Sequence, residues 1–500
     1  MRRAGAALLG SLLALASAAL SAQELAGEQV SLLLIGGKRA GTSRQSVRVL
    51  PDGTYHTEVS LHMAVRRLGQ SFAIVQRFAW IEDELWRSVE VETELNGQRE
   101  NLSARLEGGE VRLVQERQGR RSETRIAASG ELLGPRGLSE RVRRAIAGAE
   151  RELAVLRFQP ATAALETLHL RLRGQGELRD SLGGLHRGFL AEEESSAFPG
   201  IVSRTIYDAR GEQLYSVAQA GLKMEQVRIE EEGGAAGGEL ELFDVGSLVL
   251  PVRWPAGGPP PLGRLQAVVL RFTGPALPEL ERAVEAARAD LGGRGYRLSR
   301  IGEALTLRIE KPEPPPGLPV PPSPPAASAP AAGASSEEGR YTGDGFYLDL
   351  TDPRLVELLA RCPERDLGCL EALVDSFIRD KSLRYGFSSV AEILDTQAGD
   401  CTEHALLLAA LLRRSGLASR LAYGFLLTES GFIGHAWTEV YAGGRWIWLD
   451  PSFPAGRTYR FRLRLGLIDP ALPVWQQMGT SLLSVAGTVE AELLEVVDEP

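Results

Sequence analysis

Three residue types capable of acyl-transfer chemistry stand in order in the last third of the 500-residue sequence: Cys401 in GDCTEHA, His435 in GHAWTEVY and Asp450 in WLDPSF. A thiol that attacks a carbonyl needs a base to take its proton and a group to orient that base, and each has a candidate here. Asp400-Cys401-Thr402-Glu403 has the pattern of a helix start, with Asp400 as N-cap and Glu403 reaching back from the third helical position. Cys401 is then the first residue of the helix, where unpaired N–H groups and the positive end of the dipole favour thiolate over thiol. The helix continues through Ala405 to Leu412 and on to Gly416, apolar nearly all round. It is therefore expected to be buried and to hold its first residue rigidly.

Two strand patterns follow, from His435 to Ala442 and from Arg445 to Asp450, joined by Gly443-Gly444. Both glycines can take positive φ, which suits a two-residue hairpin. That turn predicts Tyr441 opposite Trp446, Glu439 opposite Trp448 and Trp437 opposite Asp450. Because His435 and Trp437 point to the same side, Asp450 lies diagonally beside His435, at a side-chain spacing of roughly 7 Å or less. A His-carboxylate pair is the consequence. Set against the helix end, the pair makes Cys401 the nucleophile, His435 the base and then the acid, and Asp450 the group that orients and stabilises the imidazolium.

These residues resemble the Cys-His-Asp core of the bacterial transglutaminase-like superfamily, relatives of the papain-like cysteine peptidases, over residues 388 to 453. Carried over position by position, the family's nucleophile falls on Cys401, its base on His435 and its acid on Asp450. The resemblance implies an α+β papain-like domain and a thioester formed with a Gln, Asn or peptide carbonyl, captured by an amine or water. It implies no cofactor. The partner is a peptide or protein substrate, cell-wall peptide among the candidates. Members of the superfamily also serve as noncatalytic peptide- or partner-binding modules, and that alternative stands beside the enzyme reading.

Around this core the assignments divide. The backbone N–H of Cys401 is a natural oxyanion donor; for the second donor Gln397 is available, closer to the cysteine than in the papain-like pattern, with Tyr385 a weaker candidate. His404 lies one turn after Cys401. It reads as a packing or supporting residue, the alternative being a four-ligand zinc site with Cys401, His435 and Asp450. Trp437, Trp446 and Trp448 read as sheet packing, with Trp437 alternatively shielding substrate. Glu403, Glu429 and Glu439 read as a solvated face, against a role in attracting a cationic amine.

The elements that must carry this site point to a multidomain chain. At 44% hydrophobic and 24% charged residues the composition is globular, and the length is too great for one core. A net charge of -9 and a pI near 5.5 argue against nucleic acid or an anionic membrane as partner. The start, MRRAGAALLGSLLALASAALSAQE, reads as a secretory signal peptide over residues 1–22 without a lipobox cysteine, so a periplasmic or secreted protein with no later transmembrane segment is expected. In such a compartment three cysteines leave one over. Cys362 and Cys369 flank a short connection between helices expected at Asp352–Arg361 and Leu367–Lys381, so a local disulfide is expected there, leaving Cys401. Residues 312–341 form a linker, with ten of the 28 prolines between 312 and 330. Upstream, alternation in Val30/Leu32/Leu34, Val59/Leu61/Met63 and Phe72/Ile74/Phe78/Trp80 predicts a mainly antiparallel β domain over 23–250, interrupted by a helix near Leu138–Leu153. Pro51-Asp52-Gly53 and Asn96-Gly97 mark turns. Residues 263–311 read as a small α/β unit or an appendage of that β domain, and 343–500 as the transglutaminase-like domain. The sequence sets no oligomeric state.

Overall fold

The computed structural model describes residues 28–229 apart from 68–69, 96–97, 118, 161, 199–200 and 221, then 249–311, 338–381 apart from 364–365, 388–453, 461–468, and 482–498 apart from 483–484 and 487. The expected signal peptide, nearly all of the linker, the Asn96-Gly97 turn and Tyr385 lie outside the described residues. The chain divides into two units, the second beginning at Gly246.

The first unit is built on one fourteen-stranded antiparallel sheet. Its strands are β1 (Gln29–Ile35), β2 (Lys38–Val49), β3 (Tyr55–Arg67), β4 (Gln70–Glu82), β5 (Trp86–Leu95), β6 (Gln98–Glu107), β7 (Glu110–Arg117) and β8 (Arg120–Ala127). After helix α1 (Pro135–Gly148) come β9 (Glu152–Gln159), β10 (Ala164–Arg179), β11 (Leu185–Ser195), β12 (Val202–Tyr207), β13 (Gln213–Ala220) and β14 (Leu222–Ile229). Each half meanders strand to neighbour, and β1 pairs with β14 to join the halves. The alternation that predicted this sheet puts Val59, Leu61, Met63, Ile74, Phe78 and Trp80 on a buried face. The helix begins earlier and stops sooner than its apolar pattern suggested. Pro135 is pre-shaped for a first turn, while Ala149 turns into the left-handed region at φ 56° and sends Glu152 and Leu153 into β9. The buried Glu82 of β4 accepts from the Arg136 and Gly137 backbone N–H groups at 3.1 and 3.3 Å, capping α1 from outside its own sequence. Burial pushes its carboxyl up to about 7.

The second unit carries two sheets. One has the order β15 (Val249–Leu250), β21 (Gly431–Ala442), β20 (Ser419–Thr428), β23 (Arg462–Ile468), with β22 (Arg445–Leu449) also on β21. The other has the order β16 (Val252–Arg253), β24 (Glu490–Asp498), β17 (Leu265–Thr273), β19 (Ala304–Glu310), β18 (Tyr296–Ile301). The helices are α2 (Leu277–Asp290), α3 (Pro353–Leu359), α4 (Leu367–Phe377), α5 (Val390–Thr396) and α6 (Cys401–Arg414). Among the described residues no helix is long and apolar enough to cross a membrane.

Residues 263–311 are thus a part of the second unit and not an appendage of the N-terminal sheet. Strand β24, from the far end of the chain, pairs along β17 from Leu265 to Thr273, so a domain boundary at 343 cuts through a sheet. Tyr296 of β18 strengthens the join: its hydroxyl donates to the Arg462 carbonyl at 2.8 Å and accepts from the Arg464 N–H at 3.1 Å. Asp290, the last residue of α2, receives Arg420 and Arg464, each at 2.6 Å. A carboxylate at a helix C-terminus opposes the dipole; two buried guanidinium groups explain its presence there.

The core of this unit surrounds α6. Leu406, Leu407, Leu408, Leu411 and Leu412 are all fully buried, and at roughly 2 kcal/mol each they supply on the order of 10 kcal/mol of apolar burial before entropy is counted. The helix packs against β20, β21, α3, α4 and α5.

Candidate active site

Cys401 opens α6, as the GDC pattern predicts. Asp400 is the N-cap, its Oδ1 accepting from the Thr402 N–H at 3.0 Å, and Glu403 returns its Oε2 to the Asp400 N–H at 2.9 Å. Glu403 Oε1 also accepts from the Ser388 N–H at 3.1 Å, tying the residue before the α5 cap to the start of α6. Burial, with the neighbouring Asp400 charge, raises the Glu403 carboxyl. The glycine of the motif is a steric requirement: a Cβ on Gly399 would lie 2.2 Å from the Glu403 Cβ. Cys401 itself is buried and stands outside any disulfide, whereas Cys362 and Cys369 are joined in one between α3 and α4.

The hairpin follows the register that its turn predicts as far as Thr438 opposite Leu449, where the ladder ends one pair short of the expected Trp437 opposite Asp450. Gly443 and Gly444 take φ of 61° and 79°, and Glu439 pairs with Trp448, Tyr441 with Trp446. On that edge β21 meets β15 at Phe432–Ile433 and β22 from Thr438 onward, so Gly434 to Trp437 lie between the two partners. Asp450, the residue after β22, reaches into this interval, and its Oδ2 lies 2.6 Å from His435 Nε2. Against an ionised carboxylate that nitrogen is the donor. His435 is buried beside the Trp437 and Phe453 rings, at centroid distances of 6.1 and 5.5 Å. Three residues after His435 on the strand and four after Cys401 on the helix, the Thr438 hydroxyl donates to the Ala405 carbonyl at 2.8 Å, pinning β21 to the first turns of α6.

Asp450 has two partners that its sequence neighbourhood does not disclose. Arg462 of β23 donates from Nη2 to the same Oδ2 at 2.6 Å, and Glu371 of α4 accepts the Asp450 backbone N–H at Oε1, also 2.6 Å. Oδ1 accepts from the Ser452 N–H at 3.1 Å. Burial drives the Glu371 carboxyl up to about 7; the Asp450 N–H bond pulls it down, the Asp450 charge pushes it further up and Arg462 draws it back. One signal pointed to Glu371, since Leu367, Leu370 and Val374 form the buried stripe of α4 and position 371 falls on it. Arg462 gave none, because its alternation with Phe461, Leu463 and Leu465 reads as the wet face of a strand.

The remaining candidates fall as follows. His404 is fully buried, its Nδ1–H donating to the Asp400 carbonyl at 2.6 Å, within the first turn of its own helix. Among the described residues no group of three or more His, Cys, Asp and Glu side chains is arranged to hold a metal ion. Gln397 is the left-handed C-cap of α5 at φ 50°, and its carbonyl accepts from the Arg379 and Asp380 N–H groups. Trp437 is buried entirely, against Trp448 at 5.6 Å and with the Arg462 guanidinium 5.9 Å from its ring centre, so it packs within the sheet. The solvated-face reading fails for two of three glutamates. Glu429 is exposed, but Glu403 and Glu439 are buried. Glu439 binds Arg420 at 2.9 Å, Arg464 at 3.0 Å and the Trp448 indole N–H at 2.9 Å.

Residues 372–451 match the family model of the transglutaminase-like superfamily. The second unit therefore contains a transglutaminase-like domain, in an α+β setting that follows a large antiparallel β region. No curated protein matches the chain. Among solved structures, a beta-barrel-like protein of a domain of unknown function from Brucella abortus is similar at 12% identity, over 41% of this chain and 95% of its own, with a TM-score of 0.33. A protein described as a "Putative Cysteine Protease" from Cytophaga hutchinsonii is similar at 11% identity, over 47% and 86%, with a TM-score of 0.26. A "Putative Protease" from Parabacteroides distasonis follows at 11% identity, over 75% and 68%, with a TM-score of 0.18. At these scores the likenesses carry no weight for the chemistry.

Proposed function

We propose that the protein is an exported cysteine hydrolase or acyltransferase acting on a peptide-type amide through a thioester on Cys401. The observation that carries this reading is the 2.6 Å bond between His435 Nε2 and Asp450 Oδ2, on a strand pinned by Thr438 to the helix that Cys401 opens. With Nε2 engaged by the carboxylate, Nδ1 is the ring nitrogen that exchanges a proton with the thiol. Cys401 Sγ attacks the amide carbon, His435 passes the proton to the departing nitrogen as the C–N bond breaks, and the thioester remains. Water or a primary amine then attacks the thioester carbon and His435 takes its proton; as the C–S bond breaks the proton passes to Sγ, and the acid or the new amide is released. The Cys401 N–H, with Gln397 as the candidate second donor, stabilises the oxyanion of each step.

Export is supported by the Cys362–Cys369 disulfide, a bond that persists in oxidising compartments, together with the N-terminal sequence pattern. The substrate class is a peptide or protein, cell-wall stem peptides included. With the disulfide intact Cys401 is the one thiol, so iodoacetamide alkylation reads it directly. Wild type is expected to react at pH 7 at least tenfold faster than a model thiol, and His435→Ala to remove that advantage. Equal rates in the two proteins refute the activated pair and leave the noncatalytic binding module as the reading.

A further inference from the structure

Asp450 is held from four directions. Its own turn supplies the Ser452 N–H, β21 supplies His435, β23 supplies Arg462 and α4 supplies Glu371. Two of these partners carry charge of opposite sign, and both are buried. Arg462 shares a single carboxylate oxygen with His435, so every increment of charge it draws from Oδ2 weakens the hold on the imidazole. Glu371 holds the Asp450 backbone and, when ionised, places a second negative charge behind the carboxylate.

We propose that Glu371 and Arg462 are opposed positioning residues for Asp450: Glu371 fixes its main chain and reinforces its charge, Arg462 offsets that charge, and together they set how firmly Asp450 holds the protonated His435. This rests on the reading of Cys401 and His435 as a working pair. The geometry of each residue is independently secured. Glu371 projects from α4, whose N-terminal turn is clamped by the Cys362–Cys369 disulfide and by Asp366 accepting from the Cys369 N–H at 2.7 Å. Arg462 sits on β23, where the Tyr296 hydroxyl binds the carbonyl of Arg462 itself and the N–H of Arg464. The charged groups facing Glu371 are Asp450 and Arg462. On α6, which packs against α4, the titratable groups of the first turn are Cys401, Glu403 and His404, with Glu403 occupied by the Ser388 and Asp400 N–H groups. Because burial leaves Glu371 half ionised near pH 7, its contribution falls within the range where the thiol-imidazole pair works.

The test is the pH profile, from pH 5 to 9, of Cys401 alkylation by iodoacetamide in the full chain with the disulfide intact. Glu371→Gln keeps an acceptor for the Asp450 N–H but removes the charge, so the midpoint is expected to rise by roughly half to one pH unit. Arg462→Gln removes the opposing charge, so the midpoint is expected to fall by a similar amount. A merely structural role would slow both variants in the same direction. Shifts of the same sign, or profiles identical to wild type, overturn the proposal while His435→Ala still shows its effect. If His435→Ala is itself indistinguishable from wild type, the underlying pair fails and the proposal falls with it. Should Arg462→Gln lose its cooperative urea transition, the sign of the Glu371→Gln shift decides, with Glu371→Asp expected to restore the wild-type midpoint.

Discussion

Replacing Asp290 by Asn tests whether residues 263–311 belong energetically to the unit that holds the site. Asp290 and Glu439 face Arg420 and Arg464, two acids against two bases, and the side chains of Arg420, Arg464 and Glu439 are at most 2% exposed. Asparagine is nearly isosteric, yet it leaves two buried guanidinium groups on one carboxylate and turns an amide N–H₂ toward one of them. Breaking a buried pair this way costs about 3–5 kcal/mol. The Asp290 side chain is 21% exposed, so water compensates in part, and about 2–4 kcal/mol is expected. For a unit of this size that lowers the melting temperature by roughly 5–15 °C. The measurement is urea and thermal unfolding followed by tryptophan fluorescence, since Trp446 lies under Arg420 and Trp448 donates to Glu439. The transition is assigned to this unit by the simultaneous loss of the enhanced Cys401 alkylation rate. Adding Arg464→Met to Asp290→Asn restores the charge balance and is expected to recover at least half of the loss. A shift below 1 °C, or a double variant that loses the sum of the two single effects, refutes the electrostatic account.

Three further outcomes follow from the same geometry. Glu371 has a folded-state pKa raised from 4.5 to about 7, so the stability it contributes is present below pH 4.5 and is lost as the pH rises through 7; wild type should lose up to about 3 kcal/mol over that window. Glu371→Gln should flatten that part of the urea-derived stability curve. Gly399→Ala forces a Cβ against the Glu403 side chain, breaks the reciprocal cap and is expected to cost about 1–3 kcal/mol, with slower Cys401 alkylation at pH 7 as the second readout. In the N-terminal unit, Glu82→Ala strips the acceptor from the Arg136 and Gly137 N–H groups and should lower stability by roughly 2–4 kcal/mol, read from that unit's urea midpoint.

The local features were legible because they depend on near neighbours in the chain. Asp400 and Glu403 are three residues apart, so the cap around Cys401 is a property of one turn. Two glycines between alternating strands determine the hairpin register, and with it the approach of His435 to Asp450. The same locality made Cys362 and Cys369 readable as partners. Where reading by pattern failed, the pattern was correct and the surroundings were not local. Glu439 alternates with apolar neighbours as a wet-face residue would, yet its face is closed by arginines from β20 and β23. The Pro-rich stretch suggested a boundary at 343, but β24 returns to pair with β17 across more than two hundred residues of sequence.

What the sequence by itself determined, then, was the order of Cys401, His435 and Asp450, the helix start that holds Cys401 and the turn that brings Asp450 to His435. Only the tertiary structure decided what surrounds Asp450. Glu371 and Arg462 reach it from α4 and β23, 79 and 12 residues away along the chain. Their burial, and so the strength of their charges, arises when those elements close on one another. Capping and hairpin geometry are set by residues close together in the chain, whereas the field at a buried carboxylate is the sum of whatever the fold packs against it.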